Sequence, residues 1–141
     1  MTTTDTTRDL LHRYYTEVWV QGNVAALDEL LADDYIDRDP TPGFSADKAG
    51  AKQVAASFTS GMQNAALDSL DMIVEGDRAA AHWAMHWTQQ GQLMGLPADG
   101  KQISLRGHDS YRLRGGKIAE IGHCEDFAGL LDQLGALPPM G

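Results

Sequence analysis

The second half of the chain alternates between apolar and polar residues, which is the period of a β-strand. Four segments carry this alternation: residues 70–74, the stretch from Arg78 to Thr88, residues 103–113, and "KIAEIGHCE" at 117–125. Glycine-containing turn sequences separate them: "EGD", "GLPADGK" and "RGG". This order of alternating segments and turns predicts antiparallel strands joined in sequence.

The first half of the chain has the helical period instead. Its apolar residues predict a helix from about residue 6 to 20, a second one carrying residues 24–31, and a third from about residue 46 to 62. "DDYIDRDPTPGF" contains two prolines and a glycine, and is predicted to be irregular. A short helix around residues 127–134 follows the last strand. Helices followed by antiparallel strands predict one α+β domain over residues 1–141, with a curved sheet folded over the helices.

The composition of the chain narrows its functions. With 141 residues and 43% hydrophobic residues, it is long enough to bury a core. A formal net charge of −9 argues against nucleic acid or an anionic membrane as partner. The N-terminal residues resemble no signal peptide, so a cytoplasmic location is expected. Cys124, the only cysteine, excludes an internal disulfide and is expected to be a buried or half-buried strand residue.

One carboxylate, Asp109, breaks the alternation of residues 103–113, because it falls on their apolar face. Which residues it meets depends on the turn that follows. A two-residue loop at 115–116 places His123 on the opposite face, whereas a three-residue loop at 114–116 places Ile121 and His123 on the face of Asp109. The three-residue loop keeps the apolar residues together, and we therefore predict it.

In this register Asp109 lies opposite Ile121, and His123 is its diagonal neighbour at roughly 7–8 Å between α-carbons. A buried carboxylate is costly unless it is paired. We predict that Asp109 accepts a hydrogen bond from His123 and orients it, as the acid behind a catalytic histidine does. A purely structural polar pair is the alternative.

Longer stretches of the chain resemble a known family. "QLMGLPADGKQISLRGHDSYRLRGGKIAEIGHCEDFAGLLDQLGAL" is similar to the C-terminal half of a SnoaL-like polyketide cyclase. "YYTEVWVQGNVAALDELLADDYIDRDP" is similar to the first two helices of that family and the loop after them. The resemblance implies the cone-shaped α+β fold of nuclear transport factor 2 and ketosteroid isomerase, and it implies a homodimer.

The resemblance also implies intramolecular aldol condensation without cofactor or metal. In that family a catalytic aspartate lies on the last strand and a histidine on the preceding one. Here His123 stands at the aspartate's place and Asp109 at the histidine's, so the two residue types are exchanged. Arg38 replaces a histidine that is common in relatives, and Gly122 replaces a tryptophan.

The other residues singled out are expected to line the substrate pocket or to lie on the surface. The residues expected to line a substrate pocket are Tyr14, Tyr35, Trp83, Met85, Trp87, Tyr111 and Ile121. His82 and His86 are about 13 Å apart on one strand, too far to share a metal ion. Asp126 is expected to cap the last helix, and Arg38 and Asp39 are left open as residues of the pocket mouth.

These observations predict a cofactor-independent cyclase or isomerase that acts on a small, hydrophobic, carbonyl-rich molecule of polyketide type. His123 would remove a proton next to a carbonyl while Asp109 holds its ring. Two alternatives stay open. One is epoxide hydrolysis by two carboxylates and an arginine around a water. It is disfavoured because Arg106 falls on the strand face opposite Asp109 and His123 stands in place of a carboxylate. The other is a ligand-binding domain without catalysis.

Overall fold

A computed structural model describes residues 2–141. Its four α-helices are α1 (Thr3–Arg13), α2 (Leu27–Leu30), α3 (Lys48–Thr59) and α4 (Phe127–Gln133). Its five strands are β1 (Leu31–Asp37), β2 (Met62–Glu75), β3 (Arg78–Gln89), β4 (Gln102–Arg114) and β5 (Lys117–Glu125). The α+β prediction is confirmed.

The five strands form one sheet in the order β1-β5-β4-β3-β2. Strands β2 to β5 are antiparallel neighbours joined in sequence, as predicted. The edge strand β1 pairs with β5 in the parallel direction. The helices pack their apolar side chains on one face of this curved sheet, so the core lies between the two layers.

The first helix changes its winding where it meets the sheet. Residues Tyr14–Val20 continue α1 as a π-helical segment, in which the amide of Gln21 donates to the carbonyl of Thr16, five residues earlier. Such segments are rare in proteins, and those that occur are often found at functional sites. This one contains Tyr14, Tyr15 and Val18, which are all buried.

Two strand boundaries differ from the prediction. Strand β1 occupies residues predicted to be helical or irregular. In this strand Leu31 and Tyr35 are buried, whereas Asp33 and Asp34 face outward. Its parallel partner β5 is distant in the sequence, so no local pattern indicates the pairing. Strand β2 begins eight residues before Leu70, in a segment whose register shifts twice against β3.

The hairpin between β4 and β5 corrects the predicted turn. Arg114 pairs with Lys117 across a two-residue loop, and the predicted three-residue loop is wrong. The register then shifts by one residue at Ala119, so that Tyr111 faces Ile121 and Asp109 faces His123 directly. The irregularity restores the side-chain alternation that the two-residue loop would have inverted. Asp109 and His123 therefore occupy directly paired positions, not the predicted diagonal ones.

The only cysteine of the chain lies on the surface. Cys124 is exposed, so the prediction of a buried or half-buried cysteine is wrong: it lies on the outer face of β5, opposite His108. Within residues 2–141, no helix is long and apolar enough to cross a membrane.

Gly107 leaves space for the indole of Trp83. These two residues are paired across β3 and β4. A Cβ atom at position 107 would lie 2.7 Å from Cζ2 and 2.9 Å from Cε2 of Trp83, and 3.1 Å from the carbonyl oxygen of Cys124. The indole therefore lies directly on the backbone of β4.

We expect Gly107→Ala to destabilise the fold by about 1–3 kcal/mol, because the indole must move away from the added methyl group. Urea unfolding measures this cost. The double variant Gly107→Ala/Trp83→Phe is the control, since the smaller ring removes the clash. Its loss of unfolding free energy should be smaller than the sum of the losses in the two single variants. Additive losses would show that the Trp83 contact is not the cause.

Candidate active site

A cavity lies between the sheet and the helices, and Asp109 is part of its wall. It contains about 100 Å³ of free space, several times the roughly 10–15 Å³ that one water molecule needs. Most of its lining side chains are apolar, and neither arginine nor lysine occurs among the described residues that line it. It is therefore suited to a small apolar molecule that meets a few polar groups.

Five of the seven predicted wall residues line this cavity in the structure: Tyr14, Tyr35, Trp83, Met85 and Ile121. Trp87 does not line it, because its side chain is fully buried in the core and its indole N–H donates to Gln89 Oε1 at 2.8 Å. Tyr111 is also not a wall residue. It lies behind the wall, where its hydroxyl reaches Asp109.

Asp109 is 7% exposed and is held by two phenols. The hydroxyl of Tyr15 donates to its Oδ2 at 2.5 Å, and that of Tyr111 donates to the same oxygen at 3.1 Å. The two phenol oxygens also lie close to each other. Within residues 2–141, Oδ1 of Asp109 takes part in no hydrogen bond, so one oxygen of this carboxylate is fixed while the other has no protein partner.

Burial raises the pKa of Asp109 to about 6. Removal from water disfavours the charged carboxylate, and the nearby Glu125 acts in the same direction, while the two phenols and His123 partly offset the rise. Burial also raises the pKa of Tyr15 and of Tyr111 far above that of a free phenol, so both stay neutral donors. Asp109 thus changes its charge close to neutral pH, as a general base or acid must.

His123 is bound by carboxylates other than the predicted one. Its Nδ1 lies 2.7 Å from Glu125 Oε1, and its Nε2 lies 2.9 Å from Asp37 Oδ2. All three side chains are at most one-fifth exposed. The predicted hydrogen bond between His123 and Asp109 is not formed, because Asp109 is bonded to the two tyrosines and β1 brings Asp37 to the imidazole.

These two carboxylates raise the pKa of His123 to about 10, with the hydrogen bond to Asp37 as the largest cause and that to Glu125 next. At neutral pH the ring is an imidazolium that donates from both nitrogens. It then has no free lone pair with which to accept a proton. The role of His123 as the base, expected from the sequence, is therefore not supported by its surroundings.

The sequence analysis missed Asp37 and Glu125. Glu125 stands two residues after His123, so the alternation of β5 already places both on one face. Asp37 stands two residues after Tyr35, and the same argument applies once β1 is recognised as a strand. Its partner His123 is 86 residues away, and no local signal connects them.

The other candidates lie outside the cavity. Asp126 caps α4 by accepting from the amide of Gly129 at 2.9 Å, as predicted, and its second oxygen binds the exposed Arg106. Arg38 pairs with Glu120, and Asp39 accepts from the backbone amide of His123 at 3.0 Å. Since Arg106 points away from the cavity, the arginine needed for epoxide hydrolysis is absent from the described cavity wall.

The outer face of the sheet carries three further histidines. His82 and His108 are stacked, with ring centroids 4.2 Å apart, and His86 binds Asp68. Within the described part of the chain, no group of three or more histidine, cysteine or acidic side chains is arranged to hold a metal ion.

We expect Tyr15→Phe to raise the pKa of Asp109 from about 6 to about 7, because a hydrogen bond to the charged form is lost. Titration of the carboxyl carbon of Asp109 by ¹³C NMR measures it. Tyr14→Phe is the matched control: Tyr14 lines the same cavity and makes no described hydrogen bond to Asp109. Equal pKa values in the two variants would mean that the Tyr15 phenol does not tune Asp109.

Solved structures resemble this fold over nearly its whole length. TsrD from Streptomyces laurentii has 27% sequence identity and a TM-score of 0.81, covering 97% of this chain and 100% of its own. A "putative polyketide cyclase" from Acidithiobacillus ferrooxidans has 25% identity and a TM-score of 0.82, covering 98% and 100%. AclR from Streptomyces galilaeus, with 19% identity, a TM-score of 0.82 and coverage of 97% and 100%, is similar in fold alone.

None of the curated proteins compared with the chain matches it. The expected cone-shaped fold is confirmed by the solved structures. A family model for the SnoaL-like polyketide cyclases matches residues 9–134, which include every strand and the whole cavity wall. This chain belongs to the SnoaL-like polyketide cyclase family.

Proposed function

We propose that the protein is a cofactor-independent cyclase that closes a ring in a small, carbonyl-rich molecule of polyketide type, with Asp109 as its general base. One observation carries this proposal: the carboxylate of Asp109 is buried on the wall of an apolar cavity and is held by two neutral phenols through one oxygen. Its pKa of about 6 suits proton transfer at neutral pH.

The proposed reaction begins when Asp109 removes a proton from a carbon next to a carbonyl group. The electron pair left on that carbon attacks a second carbonyl carbon of the same molecule and forms the new ring bond. The alkoxide that results takes the proton back, so Asp109 returns to its charged form. Holding both reacting carbons in one cavity makes the attack intramolecular and lowers its entropic cost.

Negative charge that develops on the substrate oxygen needs a donor. Tyr14 and Tyr35 line the cavity, and burial raises the pKa of both well above the ordinary value of a phenol. They therefore stay protonated and able to donate to an oxyanion. The imidazolium of His123 lies between the carboxylates of Asp37 and Glu125 at the same wall and offsets their charge, so we assign it an electrostatic role instead of that of the base expected from the sequence.

The location and assembly expected from the sequence remain part of the proposal. We infer a homodimer, as the family resemblance implies, and a cytoplasmic location. We also infer no role for nucleic acid, since the net charge is −9.

The first step of the proposed reaction is testable without knowing the natural substrate. The probe is 2-tetralone, a bicyclic ketone whose C1 hydrogens are acidified by both the carbonyl group and the aromatic ring. The protein should accelerate the exchange of these hydrogens for deuterium in D₂O, as followed by ¹H NMR, and Asp109→Asn should remove the acceleration. Acceleration that survives in Asp109→Asn would rule out Asp109 as the base.

A further inference from the structure

Beside the cavity lies a groove on the protein surface. The residues that line both the cavity and the groove are Thr41, Phe58 and Phe127. The cavity alone holds about 100 Å³, less than the roughly 300–1,000 Å³ of pockets that bury a drug-sized ligand. The groove offers about 590 Å³ more, so cavity and groove together have room for a larger molecule than the cavity alone.

An exposed hydrophobic side chain lies on this groove in an unfavourable backbone conformation. Met94 has φ of +51° and is 45% exposed. It is the first central residue of a tight turn in which Leu93 and Leu96 exchange two backbone hydrogen bonds, at 3.0 and 2.9 Å. Gly95, the second central residue, has φ of +75°.

A turn with two positive φ values favours asparagine or glycine at its first central position, and a long side chain there costs stability. Exposing an apolar side chain brings no gain from burial in return. Residues held in such conformations are found at ligand contacts, where the interaction with a ligand compensates the cost. Met94 combines the strained conformation, the exposure and the position on the groove.

We infer that the groove binds an apolar tail of the same ligand whose reacting end lies in the cavity, and that Met94 is a specificity residue for this tail. The inference rests on the proposed function only in placing the reacting end at Asp109. The occupant follows from the position of the groove directly beside the cavity, because Phe58 and Phe127 line both spaces. Serines and glutamines line part of the groove, and the apolar tail is assigned to its exposed or half-buried apolar side chains Pro42, Phe44 and Met94.

The substrate class is then an elongated molecule: a carbonyl-bearing ring or chain end that fits the cavity, extended by an alkyl or aryl tail. Phe44 belongs to the loop after β1 and Met94 to the loop between β3 and β4. The tail would lie between these two loops. Neither residue lines the cavity, so both can be changed without touching its wall.

The test compares 2-tetralone with 6-hexyl-2-tetralone, which carries the same head and an added tail, by calorimetric titration. In the unchanged protein the hexyl group should strengthen binding. Met94→Asn should weaken the binding of the tailed compound by about threefold to tenfold, because part of the tail's apolar contact is lost. The binding of 2-tetralone should stay the same.

The same variant has a second, opposite readout. Asparagine is favoured at this turn position, so Met94→Asn should raise the melting temperature, on the order of 2–4 °C. A gain in stability together with a loss in tail binding is what a residue retained for ligand contact must show. Met140→Asn is the matched control: Met140 is 84% exposed and lines neither space, so tail binding should not change.

Phe44→Ala is the second variant and should also weaken the binding of the tailed compound alone. The inference is overturned if either Met94→Asn or Phe44→Ala binds both compounds as the unchanged protein does, or if both compounds weaken together. These binding results do not depend on catalysis. If Asp109→Asn keeps full exchange activity while Met94→Asn loses tail binding, the proposed base fails and the groove inference stands.

Discussion

Asp109→Asn is expected to slow the deuterium exchange of 2-tetralone by about 10²–10⁴-fold, the usual contribution of one general base. Asparagine has nearly the same shape and still accepts from the phenols of Tyr15 and Tyr111 through its carbonyl oxygen. It cannot take up a proton from carbon. The loss should therefore appear in the rate and not in the affinity for 2-tetralone.

The pH dependence of the unchanged protein gives an independent test of the same residue. A base works only when it is deprotonated, so the exchange rate constant should rise with pH and level off above about pH 6, the pKa of Asp109 in the folded protein. Tyr15→Phe should move this midpoint upward. A profile that rises only near pH 10, where His123 loses its proton, would assign the base to His123 instead.

Asp71→Asn is the control for Asp109→Asn. It makes the same chemical change at an exposed carboxylate on β2, opposite His82, and Asp71 does not line the cavity. Its exchange rate should equal that of the unchanged protein. A similar loss in both variants would show that the effect of Asp109→Asn comes from net charge and not from the site.

Asp109→Asn should also change the stability of the fold, by an amount that depends on pH. The folded-state pKa of Asp109 lies above its ordinary value of 3.8, so the folded state holds this proton more tightly than the unfolded chain. The stability linked to that proton is fully present below about pH 4 and is lost as pH rises through 6. Asp109→Asn should therefore unfold at a higher temperature than the unchanged protein at pH 8, and the difference should shrink at pH 4.

A carboxylate that lowers stability at the pH where it is charged is understandable at a catalytic position. Burial makes Asp109 a stronger base than a solvent-exposed carboxylate, and the same burial costs folding free energy. The two tyrosines limit this cost without removing it, because they bond to only one of its oxygens. Function and stability thus make opposite demands on this residue.

Much of this arrangement is predictable from the sequence, because it follows from local alternation. The period of residues 103–113 places Asp109 among apolar neighbours, and the structure finds it buried there. The alternation of β5 places Ile121 and His123 together on the inner face. Both depend on side-chain period, which a strand fixes residue by residue.

The partners of these residues are less predictable, because they depend on pairings between distant segments. β1 joins the sheet beside β5, and only this parallel pairing brings Asp37 to the ring of His123. The predicted length of the hairpin turn is wrong, but the register shift at Ala119 still places Asp109 and His123 on one face of the sheet. Such a register irregularity has no clear sequence signal, so the alternation alone does not give its position.

The clamp of His123 between Asp37 and Glu125 predicts a second large effect, this time on folding. His123→Ala should lower the free energy of unfolding by about 3 kcal/mol at pH 7, because two mostly buried carboxylates are left beside each other without their cation. Their mutual repulsion adds to the loss of both hydrogen bonds. Urea unfolding at fixed ionic strength measures the change.

His86→Ala is the matched control. His86 also binds a carboxylate at 2.7 Å, but both partners are nearly half exposed, so the pair is screened by water. We expect its removal to cost less than about 1 kcal/mol. Equal losses in the two variants would mean that the clamp contributes no more than an ordinary surface pair.

The pH dependence separates the charge of His123 from its packing. The folded-state pKa of about 10 lies above the ordinary 6.5, so the linked stability is complete below about pH 6.5 and is lost as pH rises through 10. The difference between His123→Ala and the unchanged protein should therefore be largest near pH 6 and should decline toward pH 10. A difference that stays constant over this range would show that His123 stabilises the fold by packing alone, and the imidazolium proposed for the active site would be lost with it.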